Sequence, residues 1–130
     1  MPIAVELVSP ERVVFEADAD VVIVRTTDGE IGFQAGHVPF VGVLAVGEVR
    51  VKLTDGSTVH IAVHRGFVEI ADNQCAILSD VAELASDIDV ARAQTAKASA
   101  EQALSADSDD ADAAYDLRKA NTRILVAGSA

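Results

Sequence analysis

Val49-Arg50-Val51-Lys52-Leu53-Thr54-Asp55-Gly56-Ser57-Thr58-Val59-His60-Ile61-Ala62-Val63 carries two apolar-polar alternations separated by an Asp-Gly pair. A strand turns successive side chains to opposite faces, so each run has one apolar face and one wet face. Asp-Gly between two such runs supplies the backbone freedom that a tight reversal needs, and the stretch predicts a β-hairpin. The alternation spreads outward from here, back to Ile3-Ala4-Val5-Glu6-Leu7 and forward to about Leu84. Turn signals punctuate it at Ser9-Pro10, Asp28-Gly29, Val46-Gly47, Arg65-Gly66 and Asp72-Asn73. Short strands without intervening helices predict an antiparallel β-sandwich or flattened barrel of roughly eight to ten strands.

Beyond Leu84 the composition changes. Ala91, Ala93, Ala96, Ala98, Ala100 and Ala103 make a helix-forming segment. Ser86-Asp87-Ile88-Asp89 reads as a capping box with Asp at its fourth position, which places a helix start near Asp87. Serine and aspartate from Ser105 to Asp112 interrupt the helix pattern, and a second helix follows with Ala113, Leu117, Ala120, Ile124 and Ala127 on one face. Arg118, Lys119 and Arg123 towards its end would complement the helix dipole, and Gly128 would stop it. The fold class is therefore mainly β with an α appendage, a sandwich over residues 1–86 and an antiparallel two-helix hairpin over 87–130. Alanine 93, 96, 100 and 103 form the seam of that hairpin. At about 0.8 kcal/mol per buried methylene, such a seam contributes far less than leucine would, so the hairpin has to dock on something. Weak self-association suits a segment with two docking sites.

The 130 residues carry ten basic and twenty-one acidic side chains, a net charge of −11, which gives no electrostatic footprint for nucleic acid or anionic lipid. A single cysteine, Cys75, excludes an internal disulfide and reads as a small core residue. No basic stretch precedes an apolar run near the start, and Ile31 to Gly47, free of charge, is broken by glycines and falls short of the roughly 20 apolar residues of a membrane helix. A soluble chain is expected. His60 and His64 have the helical spacing of zinc ligands, but four strand residues span about 13 Å, too far for one ion. Ser79 beside Asp80 lacks the context of a nucleophile, and the glycine-rich loop lacks the Lys-Ser or Lys-Thr of a phosphate cradle. No catalytic residue and no metal site is expected.

Asp28 to Gly42 reads DGEIGFQAGHVPFVG, four glycines and a proline among Ile31, Phe33, Val38, Phe40 and Val41. It resembles the G-E-[IL]-G-x-x-x-G-H-x-P loop of the epsilon subunit of bacterial F-type ATP synthases, with Ala35 where the family usually has proline. The likeness continues through Gly66-Phe67-Val68-Glu69-Ile70, Val81 to Ala93 and Lys119 to Ala127. This resemblance implies a non-catalytic rotor subunit on the cytoplasmic face of the bacterial plasma membrane, bound to the gamma subunit and the c-subunit ring, peripheral and membrane-associated only through the complex. Glu30, Gly36, His37, Val38 and Pro39 would form the loop facing the c-ring. The helical arm would extend into the alpha and beta subunits of the catalytic head and inhibit ATP hydrolysis, with Arg118, Lys119 and Arg123 as its basic end.

Ile88-Asp89-Val90-Ala91-Arg92-Ala93 also matches the I-D-x-x-R-A motif by which some bacterial epsilon subunits bind ATP. By that resemblance Glu83, Asp89, Arg92, Lys119 and Arg123 would hold ATP as a regulatory ligand, with no other cofactor. Lys119 stands for an arginine and loses its planar fork, and Ser99 stands where some binders have a further basic residue. The rival reading is a free-standing small-molecule-binding β-sandwich whose helical tail covers a sheet edge.

Overall fold

A computed structural model describes residues 2–129. Seven strands come first: β1 (Ile3–Val8), β2 (Val13–Thr26), β3 (Gly29–Phe33), β4 (Phe40–Leu44), β5 (Gly47–Leu53), β6 (Thr58–Ala71) and β7 (Gln74–Leu84). A 3₁₀ turn over Ala85–Asp87 leads to α1 (Val90–Ala106) and α2 (Ala111–Gly128). The strands are fewer than the turn signals suggest because β2 and β6 each run for 14 residues and serve several partners along their length. β6 pairs with β5 over its first half and β4 over its second, while β2 pairs first with β1, then with β5 and β3. Pairing around β1–β7–β6–β5–β2 and back to β1 closes a flattened barrel. All of these pairings are antiparallel except β1 with β7, which is parallel.

The Asp55-Gly56 hairpin forms between β5 and β6, with Asp55 Oδ1 accepting from the Ser57 amide at 2.8 Å. Asp72-Asn73 joins β6 to β7, both residues at positive φ as a two-residue hairpin turn requires. Arg65-Gly66, by contrast, is no turn. It is a kink inside β6, with φ of 59° at Arg65 and 144° at Gly66. The register of β6 on β7 survives it, His64 facing Val81 and Gly66 facing Ser79. What changes is the face. Before the kink Ile61 and Val63 enter the core, and after it Val68 and Ile70 do; on β7 the switch from Ala82 to Ile77 and Cys75 matches it. A Cβ on Gly66 would lie 1.8 Å from the Leu78 carbonyl oxygen, so this crossing excludes any side chain. The buried Ser79 hydroxyl donates to the Arg65 carbonyl at 2.7 Å, which satisfies a group that the kink takes out of the ladder.

Phe33, Ile3, Leu7, Ile61 and Ile77 fill the barrel interior with no exposure. Cys75 lies among them, and burial pushes its thiol up to about 12. A smaller cluster of Ala62, Ile88 and Val126 lies outside the barrel, where α2 meets β6.

The helix start differs from the capping-box expectation. Ser86 and Asp87 belong to the 3₁₀ turn, and Asp89 is itself the N-cap, its Oδ1 accepting from the Arg92 amide at 3.1 Å. At the other end α2 continues to Gly128, so Arg118, Lys119 and Arg123 sit in its middle and its last turn has no basic residue. Dipole complementation is therefore not their role.

Candidate functional site

Two regions collect the singled-out residues, and both depend on backbone geometry set by the barrel. In the first, the chain leaves β3 through Gln34-Ala35-Gly36-His37, closed by the His37 amide donating to the Gln34 carbonyl at 3.1 Å. Gly36 at φ 85° occupies the third position of a type II turn, where glycine is favoured and where proline suits the position before it. Ala35 fills that proline position and the turn still forms. Gly36 donates its amide to Asn73 Oδ1 at 2.6 Å, tying the loop to the β6–β7 reversal.

His37 directs Nδ1 to the Val38 carbonyl at 2.7 Å and sets its ring edge-on against Phe33, centroids 4.9 Å apart. The histidine is thus a brace for the loop, while Val38 and Val41 stand out with about 70% exposure (69% and 70%). Pro39 is exposed as well. Glu30 lies apart from the histidine contacts. It accepts from Arg50 at 2.8 Å, and Arg50 reaches Glu48 at 3.3 Å, whose other oxygen lies 3.1 Å from His60 Nδ1. Hydrogen bonding to Glu30 foremost holds the Arg50 guanidinium above its ordinary pKa. His60 thus ends a polar chain that runs from β3 across β5 to β6, and His64 takes no part in it.

The second region is the underside of the arm. Glu83, Asp89, Arg92 and Arg123 come together around one cleft of about 280 Å³, with Asp87, Ala93 and Ala96 completing its wall. Arg123 Nε donates to Glu83 Oε1 at 2.6 Å across forty residues of chain. Both are about three-tenths exposed, the Arg123 side chain at 29% and that of Glu83 at 28%. Lys119 is not in that cleft. It borders the adjoining groove between the helices with Ser99, Asp116 and Arg123, and pairs with Asp116 at 3.1 Å. Arg118 is exposed, and of the three basic residues of α2 it is the one without a carboxylate partner among the described residues.

Sequence reading missed the groups that hold α2 in place. Arg65, at the kink, lays its guanidinium over the Tyr115 ring at 3.8 Å, and Lys119 approaches the same ring at 4.6 Å. Val126, fully buried, plugs the cluster of Ala62 and Ile88. Tyr115 as the lone tyrosine, in an alanine-rich helix, was the one available signal.

The cleft thus holds the Arg123–Glu83 pair beside Arg92 and the capping carboxylate of Asp89, and it is walled by α2 on one side. No group of three metal-ligating side chains occurs among the described residues, and no described helix is long and apolar enough to cross a membrane.

Residues 2–85 match the β-sandwich domain of the ATP synthase delta/epsilon chain, and residues 86–128 match the long α-helix domain of the same chain. The sequence is 44% identical over 120 residues to an ATP synthase epsilon chain of Streptomyces griseus, covering 92% of this chain and 90% of the relative. It is 46% identical over 129 residues to the epsilon chain of Halalkalibacterium halodurans, covering 95% and 96% respectively. In structure it is similar to a chain of the Euglena gracilis mitochondrial ATP synthase, with a TM-score of 0.82 at 24% identity over 99% of this chain and 82% of that one. That last likeness is one of fold.

Proposed function

The chain belongs to the ATP synthase delta/epsilon family as an epsilon chain, and from this premise we infer that it is a rotor subunit whose helical arm regulates ATP hydrolysis. The observation that carries the reading is how little holds the arm. α1 and α2 face each other through Ala93, Ala100, Ala113 and Ala120, and it is chiefly α2 that meets the barrel, with Val126, the Tyr115–Arg65 stack and the Arg123–Glu83 pair among its contacts. Burying one valine contributes about 1.5–3 kcal/mol, a cation-π contact about 0.5–2, and a partly exposed ion pair about 0.2–1. A total of a few kcal/mol keeps two states within reach of a ligand or partner that prefers one of them.

Within that reading the barrel docks on neighbouring rotor subunits. Val43, Phe67 and Leu78 are roughly half exposed and lie opposite one another across β4, β6 and β7, an apolar strip of the kind that marks a protein interface. The gamma subunit is its proposed occupant. The braced loop with Val38 and Pro39 at its tip is proposed to meet the c-subunit ring, Gly36 and His37 shaping it and Glu30 at its side. The released arm would carry Arg118, Lys119 and Arg123 to acidic residues of the alpha and beta subunits. ATP, if it engages the docked arm, would have to exchange with the Glu83–Arg123 pair, using Asp89 and Arg92 from the same cleft and Lys119 from beside it. Such a subunit catalyses nothing itself and lies at the cytoplasmic membrane face through its complex. The rival small-molecule reading finds no hollow inside the barrel, which Phe33, Leu7 and Ile61 fill.

Deleting residues 87–130 from the assembled complex tests the arm. Its ATP hydrolysis should rise several-fold with subunit composition unchanged, and an unaltered rate would remove the inhibitory role.

A further inference from the structure

Beneath α2 lies a group that neither the barrel core nor the cleft employs. His64 is 3% exposed, and its Nε2 has no hydrogen-bond partner. It follows Ala62 on the face of β6 turned away from the barrel core, the face on which Val126 packs. A buried imidazole nitrogen without a partner is tolerable only while the ring is neutral.

We propose that His64 is a proton-operated release for the arm: protonation of its unpartnered imidazole drives α2 off the barrel.

The charges around it set the sign. On α2, Lys119 and Arg123 face it, both cationic; on β7 Glu83 does, its carboxylate already taken by Arg123. On its own strand Arg65 is the next residue, engaged with Tyr115 of α2. On β5 the nearest carboxylate in register is Glu48, opposite Ala62 and already shared by Arg50 and His60. An imidazolium under the docked helix would therefore be desolvated and set against two cations, with Glu83 and Glu48 committed elsewhere. Burial first, then Arg123, lowers His64 from 6.5 to about 4. With α2 released the ring meets water and returns towards its ordinary value. A group whose pKa is depressed in the docked state binds more protons in the released state, so docking weakens as pH falls below 6.5 and stops weakening below about 4. At pH 5 the ratio of docked to released arm should be about 20-fold lower than at neutral pH.

This device rests on the arm's regulatory reading only for its consequence. Release itself is a property of the free chain, so the two can fail separately.

The chain has one tyrosine and no tryptophan, so its intrinsic fluorescence reports Tyr115 alone. In the full chain, lowering the pH from neutral to about 5 should change that emission and speed hydrogen exchange of α2 amides, while β6 and β7 amides stay protected. His64→Gln, neutral at every pH, should flatten both responses. A parent chain unresponsive to pH 5, or a His64→Gln chain that responds equally, overturns the proposal. A direct titration of the imidazole by NMR gives an independent reading. Its midpoint near 4 should climb towards 6.5 in a chain carrying Val126→Asp with Tyr115→Ala, which removes both the plug and the ring contact of α2. A midpoint that stays near 4 in that variant would show that the arm is not what depresses it, and would equally overturn the proposal.

Discussion

In the barrel, Phe33, Leu7, Ile61 and Ile77 reach zero exposure by meeting partners from strands far apart in sequence, whereas the arm buries little besides Ala93, Ala100, Ala113, Ala120 and one valine. The two regions also differ in what fixes them. The barrel is closed by pairing, so moving β1, β2, β5, β6 or β7 breaks a ladder on both sides. The arm meets it where α2 lies over β5 and β6, with Val126, the Tyr115–Arg65 stack and the Arg123–Glu83 pair among the contacts, and its two helices carry their own backbone hydrogen bonds wherever they go. Apolar area and ladder closure make a scaffold; small residues and self-satisfied helices make a movable part. The difference lies in how each segment satisfies its polar backbone and covers its apolar face.

The sharpest way to break this contrast is at the kink. Gly66→Val would put a branched side chain onto the Leu78 carbonyl at a backbone angle that valine does not accept, and should cost about 4 kcal/mol or more, or prevent folding. Urea unfolding measures it. A loss below about 1 kcal/mol would mean that the kink adjusts freely and that the barrel is less rigid than its pairing suggests.

Asp89→Ala should have a smaller effect and a different signature. Loss of the N-cap bond to the Arg92 amide costs about 1 kcal/mol, felt as faster amide exchange in the first turn of α1 with the barrel strands unaltered. Equal acceleration throughout β6 and β7 would show that arm and barrel unfold as one unit.

The smallest expected effect is a gain. Ala35→Pro places a residue of fixed φ where the type II turn of Gln34 to His37 wants one, and should stabilise the chain by about 0.4–1 kcal/mol by restricting the unfolded state. Thermal unfolding checks this, and a destabilised variant would mean that the loop is held chiefly by the Gly36–Asn73 bond in a shape that proline disturbs.

How far the sequence could be read follows from the range of each interaction. Asp55-Gly56 was legible because a hairpin turn is decided within four residues, and the switch to alanine after Leu84 because helix preference is a local sum. Arg65-Gly66 has the same local appearance as a turn, yet it lies mid-strand, because β7 runs alongside and shares the change of face. Ser86-Asp87-Ile88-Asp89 misplaced the cap since Ile88 is drawn into the cluster with Ala62 and Val126, leaving Asp89 to begin the helix. The I-D-x-x-R-A motif located Asp89 and Arg92, and the cleft does bring them to Glu83 and Arg123, while Lys119 lies one helical turn aside with Asp116.

By itself, then, the sequence determined which half is sheet and which is helix, and which family the chain belongs to. Period-two alternation, turn chemistry and alanine content act between neighbours and need no knowledge of the rest. Tertiary structure alone decided that the barrel closes through a parallel β1–β7 pair, that β6 changes face at Gly66, and that Arg123 finds Glu83 forty residues away. It also decided that His64 lies dry and unpartnered beneath α2. Those outcomes depend on desolvation and on which charges and faces meet after the chain has closed on itself, and no window of neighbouring residues contains that information.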